Sequence, residues 1–336
     1  MKILFLGPKL GNSNIQYLTL KEIYKNVDII DTNKILFFPF FTTKIFIHIT
    51  PLIFQFYINH YILSRAIKNY DLIYVKSGEF ISKNLIFKLK KKTRKIVYFC
   101  NDNPFVKRDK QRWKLFLPAA KYYDLIAFQD KSRIKLSKKW SVKKTLLVLP
   151  PYQKNIHCRK NLSNNEKKKY NNKVVFVGTW FHERGVFFNK LIDLGLDIKI
   201  YGERWKKDPN YVNMKSRIKL GFVHNPIYSK IIQSSKIAIC MPSKGNLDDI
   251  TARSIEIPAI GTLLCATRTK KHSETLTENK EAVYFSNPKE CFKKCNYYLK
   301  NPTLAKKIAR NGHFKITKKL KISNEDLVKK IVNTVF

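Results

Sequence analysis

Residues 242–269 read PSKGNLDDITARSIEIPAIGTLLCATRT. The segment turns at Gly245-Asn246, offers Asp248 or Asp249 as a helix cap, runs as a helix through Ile250, Ser254, Ile257 and Pro258, and stops at Gly261 before an apolar strand, TLLCA. A helix that passes through Gly into a short apolar strand is half of a βαβ unit, which implies a parallel sheet. Glu256 lies in that helix among IEIPAIG, where a buried carboxylate needs a hydroxyl or cationic partner. Arg253 precedes it by one turn with Asp249 near, and Asp248 stands eight positions earlier on roughly the same side of a helix. An N-cap and a surface Arg/Glu pair would explain these residues structurally, but the apolar setting favours a ligand role for Glu256.

Outward from this segment the same rhythm repeats. VVFVG (174–178), DIKIYG (197–202), KIAICMP (236–242) and AVYFS (282–286) alternate with helix-length stretches. The N-terminal half carries an equivalent series, with strands expected near 2–6, 27–30, 72–76, 95–100, 124–128 and 145–149. Between the halves, residues 151–172 (PYQKNIHCRKNLSNNEKKKYNN) are polar and rich in Asn and Lys, which reads as a linker. The expected organisation is α/β: a Rossmann-like domain over 1–150, the linker, a second Rossmann-like domain over 173–320, and a C-terminal helix at 321–336 returning to the first domain. The two parallel sheets are expected to face an interdomain cleft.

The chain has 336 residues and a formal charge of +42, from 66 Lys and Arg against 24 Asp and Glu. Such an excess suggests an acidic metabolite or an anionic membrane as partner. It does not suggest nucleic acid. The excess is even, 29 against 9 in residues 1–150 and 37 against 15 in the remainder, and Lys outnumbers the phosphate-forking Arg 54 to 12. Six scattered cysteines read as buried thiols in a reducing compartment, and only Cys291 and Cys295 are close in sequence, so no zinc site is expected. MKILFLGP at the N-terminus reads as a first strand, not a signal peptide, so the expected location is cytoplasmic. Residues 45–64 hold 20 positions without a formal charge, the length of a membrane span. His48, Gln55 and Asn59 fall along one helical stripe, and Thr50-Pro51 is a good helix start. An amphipathic helix on the first sheet is therefore expected, with peripheral membrane contact as the next alternative and a true span as the last.

Ligands of open parallel sheets bind beyond the carboxyl ends of the strands. FVGTWFHERG (176–185) puts Gly178 and Thr179 after a strand and Arg184 at a helix start, a phosphate-binding pattern that also serves any tight strand-to-helix turn. IYGERW repeats it at Gly202. In the first half Asp102 of CNDNPF and Glu79 of KSGEF follow strands and are candidate general bases, Asp102 foremost; each is equally suited to capping the next helix. His157, His182 and His272 show no metal-ligand spacing.

TARSIEIPAIGTLLCA (251–266), His272 and ENKEAVYFSNPKECFKKCNYYLKNPTLAKKIARNG (278–312) closely resemble the CgeB/YkvP-like spore-protein glycosyltransferases, over roughly residues 173–315. DLIYVKSGEF (71–80), CNDNPF (100–105), YYDLIAFQDKS (122–132) and LPPY (149–152) are looser matches. The resemblance implies a GT-B fold and transfer of a sugar from a nucleotide-sugar donor, held mainly by the second domain, to a glycan, protein or lipid acceptor on the first. It implies that Glu256 holds donor ribose hydroxyls, with Asp248 in the place of a sugar-binding acid. Arg184 or Arg253 would neutralise the diphosphate, and N–H groups near Gly178 and after Gly245, at Asn246, would cradle it. No D-x-D triplet occurs, so a metal is not expected, and fixed positive groups must stabilise the leaving diphosphate. A catalytically idle binder of glycans or anionic polymers is the alternative.

Overall fold

Each half of the sequence folds its apolar runs into a six-stranded, wholly parallel sheet. The computed structural model describes residues 1–336, except for the side chains of Pro39 and Phe40. Strands β1 (Ile3–Gly7), β2 (Val27–Asp31), β3 (Tyr70–Val75), β4 (Thr93–Cys100), β5 (Leu125–Phe128) and β6 (Thr145–Leu147) lie in the order β2-β1-β3-β4-β5-β6. The second sheet contains β7 (Asn172–Val177), β8 (Ile198–Gly202), β9 (Ile218–Leu220), β10 (Ser235–Cys240), β11 (Leu263–Thr267) and β12 (Val283–Phe285), ordered β12-β11-β10-β7-β8-β9. The strand order reverses between β1 and β3 in the first sheet and between β7 and β10 in the second. Those two crevices are where the topology creates room for ligands.

The chain divides into two units. One comprises Met1–Leu149, Lys244–Asp248 and Asn324–Phe336; the other comprises Pro150–Ser243 and Asp249–Ser323. The central strands of the first unit are continuously apolar because both faces of the sheet are covered. Leu4, Leu6, Ile73, Val75, Ile96 and Tyr98 face one cluster, and Ile3, Phe5, Leu72, Tyr74, Val97 and Phe99 face the other, the two-residue alternation a strand imposes. The second cluster includes Leu327, Val328, Ile331 and Val332 from the C-terminal helix Asn324–Asn333, which packs beside the helix Gly11–Tyr24. In the second unit Val174, Phe176, Ile198, Ile200, Ile237, Ile239 and Leu263 pack against the helices His182–Asp193, Pro288–Lys300 and Pro302–Phe314.

Three sequence expectations change. β9 was not foreseen: it has three residues, two of them exposed, and lies at a sheet edge, where little apolar patterning is required. The polar segment after Pro150 is part of the second unit. Tyr152, Gln153 and His157 are buried, Tyr152 bridges to Ser323, and Ser163 and Glu166 form a capping box on the helix Asn164–Lys169. The uncharged stretch is not one helix. It is divided between the helices Pro39–His48 and Gln55–Arg65, joined through a short 3-10 turn at Leu52–Phe54, and among the described residues no helix is long and apolar enough to cross a membrane. The expected polar stripe faces both ways: His48 is exposed, as a solvent face requires. Asn59 is buried, accepting a hydrogen bond from Ser82, while Phe56 is 86% exposed.

Candidate functional site

At the switch point of the second unit, the residues after β7 meet those after β10. Arg184, one turn into the helix His182–Asp193, donates from Nη1 to the carbonyl of Thr179 (2.8 Å) and from Nη2 to that of Met241 (2.7 Å). One guanidinium thus ties together the ends of both strands and fixes a positive charge in the crevice. The glycines expected to cradle phosphate are used otherwise. Gly178 N–H donates to Tyr201 O, and Gly202, at φ +151°, brings its backbone so close that a Cβ would stand 2.1 Å from the carbonyl oxygen of Gly178. Both glycines permit the tight β7–β8 junction, which Trp205 closes by donating to the same carbonyl (3.0 Å).

The helix Ala252–Ile260 is capped by Thr251, whose side chain and that of Ser254 form a reciprocal box, so neither Asp248 nor Asp249 caps it. Glu256 is enclosed, with its side chain 2% exposed. Its Oε2 accepts from Arg253 Nη1 at 2.5 Å, and its Oε1 faces His157 Nε2 at 3.6 Å. The Gln153 N–H donates to His157 Nδ1 (3.0 Å), which leaves the ring proton on Nε2, directed at the carboxylate. Burial alone would raise the Glu256 carboxyl, but Arg253 and then His157 outweigh it and hold the group below the usual range. Burial pulls the His157 ring down. Arg253 lies over the Tyr228 ring at 3.7 Å and keeps a third of its side chain exposed. Glu256 is thus held inside the second unit by the guanidinium of Arg253, and of the pair it is the arginine side chain that keeps an exposed part.

Asp248 departs further from expectation. It lies outside the helix and groups with the first unit, where it is paired with the fully buried Arg133 and accepts from Asn246 Nδ2 (2.7 Å). Burial raises its carboxyl despite Arg133. Asn246 in turn accepts from the Asn103 N–H (2.9 Å), and Gly245 lies against Arg108. Gly245, Asn246 and Asp248 therefore join the residues after β4, whereas Gly178, Thr179, Arg184, Gly202, Arg253 and Glu256 belong to the second unit.

At the switch point of the first unit, a cavity of about 330 Å³ opens beyond β1, β2 and β3, walled by Pro8, Thr32, Ser77, Glu79, Phe80 and Arg112 among others. Gly7 lets the end of β1 come up to β3, since a Cβ there would lie 2.8 Å from that of Lys76. Glu79 is buried in a 3-10 turn and accepts from Arg112 Nη2 at 2.6 Å. Arg112 Nη1 also reaches Asp102 at 3.3 Å, and Arg108 reaches the other oxygen of Asp102 at the same distance. Neither carboxylate caps a helix; Ser82 caps the helix Lys83–Lys90. Glu79, the second-ranked candidate, thus lines the cavity, and Asp102 shares its arginine.

Sequence reading passed over Lys76, Arg108, Arg112 and Arg133. Lys76 ends β3 and donates to Phe99 O (3.2 Å) and Asn101 Oδ1 (3.0 Å); burial pulls its ammonium down to about 7. Its place directly after the DLIYV strand was the available signal. Of the histidines, His182 begins its helix exposed. His272 lies inside the helix Lys270–Thr275, donates from Nδ1 to Thr267 O (2.7 Å) and accepts from Ser254 (2.7 Å), a structural network. β11 brings Cys265 to Cys291 and Cys295, with the three sulfurs within 4.8 Å of one another in the core.

With this geometry described, comparison with known proteins is informative. Residues 184–324 match a family model described as glycosyl transferase-like. The whole chain superposes on the Anabaena protein Alr3699/HepE in complex with UDP-glucose (TM-score 0.72, 14% identity, covering 100% of this chain and 99% of that one). It superposes on sucrose-phosphate synthase from Thermosynechococcus elongatus with TM-score 0.73, 11% identity and the same coverage. A trehalose-6-phosphate protein from E. coli bound with UDP-2-fluoro glucose gives TM-score 0.67 at 11% identity, covering 99% of each chain. No curated protein sequence matches the chain. The fold is GT-B, two Rossmann-like parallel sheets, and the glycosyl transferase-like match falls on residues 184–324 of the C-terminal half.

Proposed function

We propose that the chain is a metal-independent glycosyltransferase that moves a sugar from a nucleoside-diphosphate sugar to a hydroxyl of a glycan, protein or lipid. The observation that carries this reading is the enclosed Glu256–Arg253 pair, on a GT-B fold that in HepE is seen with UDP-glucose. A buried carboxylate is costly, and here it fixes the guanidinium of Arg253, whose side chain as a whole is one-third exposed, at the head of the helix following β10. A preset cation of that kind stabilises a leaving diphosphate without reorganising during the reaction.

In this reading Arg253 touches the donor diphosphate and Glu256 is its positioning residue, while Arg184 adds fixed charge at the second switch point. The acceptor binds in the cavity of the first unit. As its hydroxyl oxygen bonds to the sugar carbon, the bond from that carbon to the diphosphate oxygen breaks and the hydroxyl proton passes to a carboxylate, Glu79 before Asp102. The finer likeness to the CgeB/YkvP-like spore-protein enzymes, carried by R-S-I-E-I-P-A-I-G, belongs to this reading. So does a cytoplasmic location, which five buried free thiols of six favour.

Titration calorimetry with a panel of nucleotide sugars in EDTA tests it. Saturable binding is expected, weakened roughly 10- to 100-fold in Arg253→Ala through loss of a charge-assisted contact. A wild-type chain that binds none of the panel removes the reading.

A further inference from the structure

Between Asp31 and Asp71 the sequence has no acidic residue, and the whole stretch belongs to the first unit. The helices Pro39–His48 and Gln55–Arg65 bury Phe46, Ile58 and Ile62 against the sheet, yet they and the turns around them leave Phe38, Phe41, Ile49, Ile53 and Phe56 more than half exposed. Single exposed apolar residues need no explanation, whereas a cluster this dense does. Packing keeps it together: the Phe37 ring lies 6.1 Å from that of Phe38 and 5.5 Å from that of Tyr57. Phe38 is held at φ 44°, a conformation unusual for a bulky side chain, and the residue is 78% exposed.

Cations border the cluster. Lys34 is exposed at one side, and the Lys110 ammonium lies 2.9 Å from His48 at another. At a third side a groove is lined by Leu52 and Phe87 together with Lys83 and Lys114. Apolar rings standing out from a stretch without acidic residues, with cations at its border, complement an anionic bilayer, where the rings enter the acyl boundary and the ammonium groups meet the lipid phosphates. A protein partner of ordinary mixed charge gives no reason to exclude every acidic side chain from 39 consecutive positions.

We infer that this face docks the first unit onto an anionic phospholipid membrane as a peripheral, non-spanning contact. Leu36, Thr43, Phe46 and Ile47, from the same stretch, wall the switch-point cavity, so that cavity opens beside the docked face. The inference rests on the face alone. Membrane binding can fail while donor binding holds, and the converse.

Flotation with phosphatidylcholine vesicles, with and without phosphatidylglycerol, tests the inference on the full chain. Wild type is expected to float with the phosphatidylglycerol vesicles and to release as salt rises. Phe38→Ser/Phe56→Ser should bind at least tenfold more weakly at an unchanged melting temperature, and Lys34→Glu/Lys114→Glu should lose the preference for the anionic lipid. Wild type that floats with neither vesicle overturns the inference. So does a phenylalanine double variant that binds like wild type, since diffuse charge then suffices, or one whose only change is loss of self-association, since the face then covers a second copy of the chain.

Discussion

Glu79 lines the cavity at the first switch point, so Glu79→Gln removes a proton acceptor while preserving the shape of the wall. Donor affinity should be unchanged and turnover should fall roughly 10²- to 10⁴-fold, read by nucleoside diphosphate release alongside calorimetry. Glu256→Ala differs in kind. It strands Arg253 without its counter-charge inside the second unit and should cost about 3 kcal/mol of stability in urea unfolding, with donor affinity falling as well. At this scale the sequence carried one of two messages. The apolar neighbours of Glu256 announced burial and a hydroxyl or cationic partner, which the structure supplies as Arg253. The partner of Asp248 was not legible, because Arg133 lies 115 positions away and only the fold brings the two together.

The helix Lys270–Thr275 hangs on His272, whose neutral ring takes one hydrogen bond and gives another. Burial lowers its pKa from 6.5 to about 4, and burial also lowers that of His157. Both rings are harder to protonate folded than unfolded, so the stability they carry is complete above pH 6.5 and is lost as the pH falls through the folded value. For His272 the loss approaches about 3 kcal/mol. Urea unfolding at pH 7 and pH 4 should show this loss, and His272→Gln should reduce it. The strand junction behind the second crevice gives another test: Gly202→Ala forces a Cβ onto the Gly178 carbonyl and should cost about 3 kcal/mol, read as a lowered melting temperature. Strands were the most legible elements, because sheets covered on both faces write themselves as unbroken apolar runs. Residues 45–64 misled for a physical reason. A polar stripe reads as a solvent face only while its members lack buried partners, and Asn59 has one in Ser82.

Over the whole molecule, the two-sheet arrangement was readable from the paired series of strands. The polar composition of 151–172 concealed five buried residues, Tyr152, Gln153, His157, Tyr170 and Asn172, and so suggested a linker. Removing residues 324–336 should expose the face of the first sheet that Leu327, Val328 and Ile331 cover and lower the melting temperature of that unit. The assignment of donor chemistry to the second unit and proton transfer to the first is tested most directly by nucleotide-sugar turnover in EDTA. Nucleoside diphosphate release is followed for wild type, Glu79→Gln and Arg253→Ala. The account predicts release by wild type, loss of release with intact donor binding in Glu79→Gln, and loss of release with weakened donor binding in Arg253→Ala. Wild type that binds a nucleotide sugar but never releases the diphosphate would contradict it and leave a binding protein.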